Sequence, residues 1–185
     1  YFHYDFHSTF AATEPMEVAK HINAALLDTY EFIKRADYFN LTFGTSIAYR
    51  LMAEDRIVSN CHKMPNHTFE KTLLSVAQME EKLYGLVEKI KMVNPSVKLI
   101  CTVSPVRHTK EGIIENNRSK SRLIELCHRL VEGVAGTYYF PSYELMMDEL
   151  RDYRFYASDL IHPSDLAVDI IWKRFQTMFF TAGAE

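Results

Sequence analysis

Val97-Lys98-Leu99-Ile100-Cys101-Thr102-Val103-Ser104-Pro105 decides the class of fold. Apolar residues fall on both alternating faces of this run, which is the pattern of a strand covered on both sides rather than one with a wet face. Ser104-Pro105 ends it. Just upstream, Asn94-Pro95 breaks a helix. Helical spacing begins at Phe69, and Ser75 with Gln78 offers a capping box for that helix, which runs to about Val93. Downstream, a polar loop carries Arg107, His108, Asn116 and Asn117. A second helix follows from about Ser119 to Val131, closed by Gly133 and Gly136.

Working outward, the same alternation repeats. Residues 1–12 are aromatic and irregular. Thr13 and Pro15 open a helix to about Ala36, with Val18, Ile22, Ala25, Leu26, Phe32 and Ile33 on its apolar face. Tyr38 to Phe43 reads as a buried strand stopped by Gly44, and a loop containing Pro65 follows. Thr137 to Phe140 is a brief strand. Ser142 caps a helix over Tyr143 to Leu150, and Pro163 opens the final helix to about Phe180, with Trp172 in its core-facing part. Strand–helix alternation of this kind predicts an α/β fold with a parallel sheet covered on both faces. Three strands are few for so many helices, which suggests that the front of the fold is missing. In such sheets the ligand lies outside the carboxyl ends of the strands. Those ends are Gly44-Thr45-Ser46, Ser104 to His108, and Pro141-Ser142.

At 185 residues the chain is expected to form one domain, with a net charge of −3 that leaves no basic footprint for nucleic acid. No apolar run is long enough to span a membrane. The three cysteines, Cys61, Cys101 and Cys127, follow no metal or redox spacing; Cys101 and Cys127 read as small core hydrophobes. This usage favours a reducing, cytoplasmic compartment. The chain opens on Tyr1 without an initiator Met, so it reads as the C-terminal part of a longer protein, with a signal peptide upstream left open. The oligomeric state is not legible.

The chemistry concentrates in Asp159-Leu160-Ile161-His162-Pro163. His162 falls at about the N-cap of the last helix, where the helix dipole disfavours an imidazolium. Asp159, one turn earlier, can take the other ring N–H and fix the tautomer, as in two-thirds of a serine-hydrolase triad. The competing reading is a structural cap, in which the same pair satisfies backbone donors. Gly44-Thr45-Ser46 follows a buried strand, so backbone N–H groups there could meet an oxyanion, or the segment is a plain turn. Asn60, Cys61, His62 and Lys63 gather donors, a thiol and an imidazole in one loop. Arg107 and His108, at the end of the best strand, could hold an anionic or hydroxyl group, or Arg107 could pair with a carboxylate among Glu144, Asp148, Glu149 and Asp152. Ser8 beside His7 lacks the elbow of an activated serine. Cys61, His62, His67 and His108 could form a zinc set but lack a known spacing.

His7-Ser8-x-Phe10, Thr42-Phe43-Gly44-Thr45, Val58 to Pro65, Thr102 to His108, Asn117-Arg118-Ser119-Lys120 and Tyr143-Glu144 followed by Asp148 to Tyr156 resemble the GSCFA family in series and in order, over nearly the whole chain. That resemblance implies a bacterial branch related to the SGNH (GDSL-like) hydrolases. These are flavodoxin-like three-layer α/β/α esterases and acyl hydrolases that use no metal or cofactor. It implies Asp159 as the orienting acid and His162 as the general base, with Gly44-Thr45 in the place of the oxyanion block. Ser46 stands where that block has an Asn, so Thr45, Ser46 or Asn60 would substitute. The family's Gly-Ser-Cys-Phe-Ala segment with its serine does not occur in these residues. On this reading the visible strands are the third to fifth of five, and residues before Tyr1 carried the nucleophile.

The expectation is therefore a serine hydrolase or acyltransferase acting on an acyl ester of a small molecule or carbohydrate, without cofactor or metal. His62, Lys63, Arg107 and His108 would line its substrate side. The rivals are a non-catalytic binding module on the same scaffold and a thiol enzyme using Cys61.

Overall fold

Residues 1–180 of the computed structural model are described. They pack as two compact units: residues 1–39 with 46–97, and residues 40–45 with 98–180.

The second unit is built on the strand that decides the class. Strand β1 (Tyr38–Phe43, whose last four residues belong here), β5 (Lys98–Val103) and β6 (Thr137–Phe140) form a three-stranded sheet in the order β1-β5-β6. The sheet is parallel and flanked by helices, the arrangement of a flavodoxin-like α/β fold. In the β5–β6 ladder Cys101 lies opposite Tyr139 and Thr102 opposite Phe140, so alternate residues declare two faces. Helix α3 (Ile113–Gly133) covers one, with Cys127 meeting Cys101 and His128 meeting Tyr139. Helix α5 (Asp165–Phe179) covers the other, where Phe175 and Phe179 meet Phe140 edge-on. Leu99, Cys101 and Val103 on the α3 face are wholly buried with Cys127 and Leu130, and Ile100 on the opposite face is buried too, as a strand covered on both faces requires. Cys101 and Cys127 are thus core residues, as expected.

Three details differ from the sequence expectations in this unit. Helix α3 starts six residues early, at Ile113, because Gly112 at φ +88 turns the chain into it. Ser142 does not cap a helix. It is the first residue of a single turn, α4 (Ser142–Glu144), which widens into a π turn over Leu145–Glu149. Its hydroxyl donates to Val103 O at 2.7 Å. The last helix is capped by Ser164, whose Oγ accepts from Ala167 N, and Pro163 lies before it in a bridge with Tyr156. Trp172 is 48 % exposed and stacks on Phe175, so it is no core residue.

The first unit holds α1 (Pro15–Arg35), α2 (Val76–Val93) and a second sheet that the sequence reading left as loop and helix. β2 (Ile47–Leu51) pairs antiparallel with β3 (Arg56–Val58) on one side and β4 (Phe69–Leu73) on the other. Phe69–Leu73 is therefore a strand and not the start of a helix. Its short, mixed pattern fits either period, and five cross-strand pairs with β2 decide the matter. The helix begins after Ser75, where the expected capping box is present: Ser75 Oγ accepts from Gln78 N, and Gln78 Oε1 accepts from Ser75 N. Asn94 ends α2 and ties it to α1, donating from Nδ2 to Ile33 O and Ala36 O. On α1 the buried stripe is narrower than expected, with Leu26 and Phe32 exposed.

Candidate active site

The loop between α4 and α5 is shaped by backbone bonds before any side chain acts. Ala157 N donates to His162 O at 2.8 Å and Leu160 N to Ala157 O at 2.9 Å, closing a tight turn. Leu160 sits at φ +57, a left-handed conformation that a branched residue adopts only when its surroundings require it. The turn is anchored by Tyr156, which packs in a core of Met146, Leu150 and Ala167.

Within that turn Asp159 performs two tasks. Oδ1 accepts from Ile161 N at 2.9 Å and from His162 N at 3.0 Å, which is the capping role. Oδ2 lies 2.6 Å from His162 Nδ1. The bond to the His162 amide, that to its ring, and that to the Ile161 amide pull the Asp159 carboxyl down to about 2. A carboxylate held ionised accepts the Nδ1 proton, so Nε2 is left as the ring's basic nitrogen. The pair is open to solvent, with side chains 45 % and 59 % exposed for Asp159 and His162. Because Ser164 holds the N-cap, His162 stands two residues ahead of it. The expected support from the helix dipole, which fades beyond the first turn, is withdrawn.

The carboxyl end of β5 reaches this loop directly: Arg107 N donates to Ile161 O at 3.3 Å. The Arg107 guanidinium donates to Tyr156 OH at 2.8 Å and lies 4.4 Å from that ring's centroid. It is thus fixed against an aromatic ring rather than on any of the four carboxylates considered for it. His108 is held by its own N–H, which donates to Asn116 Oδ1 at 2.8 Å. Its ring lies against Gly44, where an added Cβ would sit 3.3 Å from Nε2. That close approach, and no unusual φ, is what calls for glycine there. Burial, and next the nearby Lys120, push the His108 imidazole below its ordinary value. Thr45 Oγ1 meets Ser119 Oγ at 3.1 Å. Gly44, Thr45, Arg107, His108, Asp159 and His162 all belong to the second unit.

The remaining candidates belong to the first unit. Ser46 is buried, and its carbonyl accepts from Leu74 N. Asn60 Oδ1 accepts from His62 N, and Asn60 N donates to Tyr4 O. The His62 ring stacks on Phe2 at 4.2 Å, with Nε2 2.9 Å from His3 O. His62 and Lys63 both lie at positive φ, 49° and 58°. Among the described residues no group of three or more His, Cys, Asp or Glu side chains is placed to hold a metal ion.

The sequence reading met Asn116 only as a loop residue and Lys120 only within a family motif, and gave neither a place in the site. Both lie on the buried stripe of α3, with Ser119, Leu123, Leu126, Cys127 and Leu130. The signal was their helical register: positions 116, 120, 123, 127 and 130 follow the three-and-four spacing of one face.

A family comparison now bears on these residues: the model of the GSCFA family matches residues 1–175. The chain belongs to the GSCFA family. The matched range of this GSCFA chain includes every candidate site residue. The search of curated proteins found no match. Among the described residues of the GSCFA chain no helix is long and apolar enough to cross a membrane.

Proposed function

We propose that this protein is an ester hydrolase or acyltransferase of the SGNH serine type, acting on an acyl ester of a small molecule or carbohydrate. The observation that carries the reading is the 2.6 Å bond between Asp159 Oδ2 and His162 Nδ1, made by a carboxylate that two backbone amides keep ionised. His162 Nε2 takes the proton of a serine hydroxyl as that oxygen attacks the acyl carbonyl. The proton then passes to the leaving alcohol, the acyl group stays on the serine, and water or an acceptor alcohol deprotonated by His162 displaces it and restores the serine hydroxyl. Asp159 holds the tautomer and stabilises the imidazolium formed between the two steps. Donors at Gly44 and Thr45 meet the developing oxyanion. Arg107, immobilised on Tyr156, and His108 face the remainder of the substrate.

Fluorophosphonate labelling of the protein isolated from its natural source, followed by mass spectrometry, tests the reading and identifies the serine. A single labelled serine is expected, with the rate reduced by about 10²–10⁴-fold in His162→Ala, the usual contribution of a positioned general base. Label on Ser8 or Ser104 would assign the nucleophile to one of those positions; label on a serine outside residues 1–185 would match the family's Gly-Ser-Cys-Phe-Ala segment. Labelling that persists in His162→Ala overturns the proposal. Absence of label, with inactivation by iodoacetamide at Cys61, would replace it with thiol chemistry.

A further inference from the structure

Among the described residues the bulkiest wholly buried side chain is a lysine, Lys120, at 1 % exposure. A lysine is almost never enclosed unless paired, and among the described residues no ion pair to it from a carboxylate is present. Its Nζ donates instead to Gly44 O and to Ser104 O, each at 2.7 Å, and lies 5.6 Å from the Tyr143 ring centroid. Those two carbonyls belong to the first residues beyond β1 and beyond β5, whose ends are also joined by Ser104 N donating to Phe43 O. A leucine or methionine would fill such a space without the cost of burying an ammonium. What the amine holds is therefore the relevant fact.

A trans peptide points its C=O and its N–H in opposite directions. With Gly44 O drawn onto Lys120, the N–H of the Gly44–Thr45 peptide is turned the other way, away from the buried amine of α3. Ser104 is followed by Pro105, which has no N–H, so on that side the bond fixes the start of the segment that leads to Arg107 and His108. The same helix touches this corner twice more: Ser119 Oγ meets Thr45 Oγ1, and Asn116 Oδ1 accepts from His108 N. We propose that Lys120 is a positioning residue of the Asp159/His162 site, setting the direction of the Gly44–Thr45 peptide and the place of His108 on the substrate side. This rests on the hydrolase reading above. The groups around Lys120 and His108 are Tyr143 and Glu111, and around Tyr143 are Arg107, Tyr156, Glu144 and Asp148. Burial lowers the Lys120 amine to about 8 and raises Tyr143 away from that range.

Carbonyl-detected ¹³C NMR of the unaltered protein from pH 6 to 11 is the first arm of the test. The Gly44 and Ser104 carbonyl carbons should move with the Lys120 Cε at one midpoint below that of ordinary lysines, while Ser121 and Gly133 carbonyls on the same helix stay still. The second arm is hydrolysis of p-nitrophenyl acetate by the unaltered protein and by Lys120→Met. We expect kcat to fall by about tenfold or more, as for a lost positioning contact, with KM within about threefold and the His108 midpoint shifted upward. Carbonyls that ignore the lysine titration overturn the proposal, as does Lys120→Met that keeps full kcat. If the unaltered protein turns over no ester and takes no fluorophosphonate, the hydrolase reading fails first and the positioning role fails with it. If Lys120→Met does not fold, the titration of the unaltered protein decides alone.

Discussion

Lys120 makes the stability of the second unit depend on pH in a direction opposite to ordinary alkaline loss. Burial lowers its amine from the ordinary 10.5 to about 8. Between those values the unfolded chain binds a proton that the folded chain does not. Stability therefore rises with pH across this window. Below the window both states are protonated, and the folded state carries the full cost of the enclosed charge, about 3 kcal/mol. Between pH 7 and pH 9 roughly 1 kcal/mol of that cost is relieved by the same relation. Urea unfolding at a series of pH values would measure it, followed by the fluorescence of the chain's single tryptophan, Trp172, which lies on α5 in the same unit as Lys120. The informative quantity is the difference between the unaltered protein and Lys120→Met, in which the titrating groups other than Lys120 and its neighbour His108 cancel. That difference should change by roughly 1 kcal/mol in favour of the unaltered protein from pH 7 to 9. A flat difference, or one of opposite slope, would refute the reasoning that an enclosed, depressed amine sits at the ends of β1 and β5.

Asp159→Asn keeps an oxygen for the Ile161 and His162 amides but presents an N–H to the ring, so it should leave the fold intact and lower the fluorophosphonate labelling rate by about 10²–10⁴-fold. In the unaltered protein the Asp159 carboxyl titrates at about 2, and its hold on His162 is lost only as pH falls through that value. A labelling profile with an acid limb shifted by Asp159→Asn but not otherwise set by a carboxylate above about pH 3 is the expected result. Gly44→Ala places a Cβ 3.3 Å from His108 Nε2. The ring must yield by a few tenths of an ångström, so labelling should slow while the melting temperature changes little, a stability effect within about 1 kcal/mol; an unchanged His108 NMR signal would show that the contact is absent.

What could be read from the residues alone follows a physical division. Leu99, Cys101 and Val103 alternate with Ile100, and apolar side chains on both faces admit few folds other than a covered parallel strand. Asp159 and His162 were legible because their interaction is local, three residues apart. β2, β3 and β4 were not, since Arg50, Glu70 and Lys71 interrupt their apolar pattern and the strands exist by virtue of each other's backbone bonds. The helix start after His162 was misplaced by one turn element: Pro163 suits a first helical position, but its bridge to Tyr156 keeps it extended and Ser164 takes the cap. Lys120 was missed because residue type argued for the surface, while only its register with Leu123 and Cys127 argued for burial.

The exposure of Asp159 and His162 bears on how such a pair can work. In water a charge pair at this separation gains little from Coulomb attraction, so low dielectric is not what orients the ring. Orientation comes from the backbone instead. The Ala157–His162 and Leu160–Ala157 bonds close the turn, the Ile161 and His162 amides seat the carboxylate, and Arg107 N ties the turn to the end of β5. On the proposed reading, a ring so held has lost its rotational freedom before substrate arrives. The electrostatic share, the steadying of an imidazolium by Asp159, grows only when water is excluded. If the proposed hydrolase reading holds, whatever occupies the site during reaction, the acyl group included, must supply that exclusion. A bulky apolar acyl ester should on this ground show a higher kcat than acetate at the same leaving group, and kcat independent of acyl size would place the orientation of His162 above its electrostatics as the working principle.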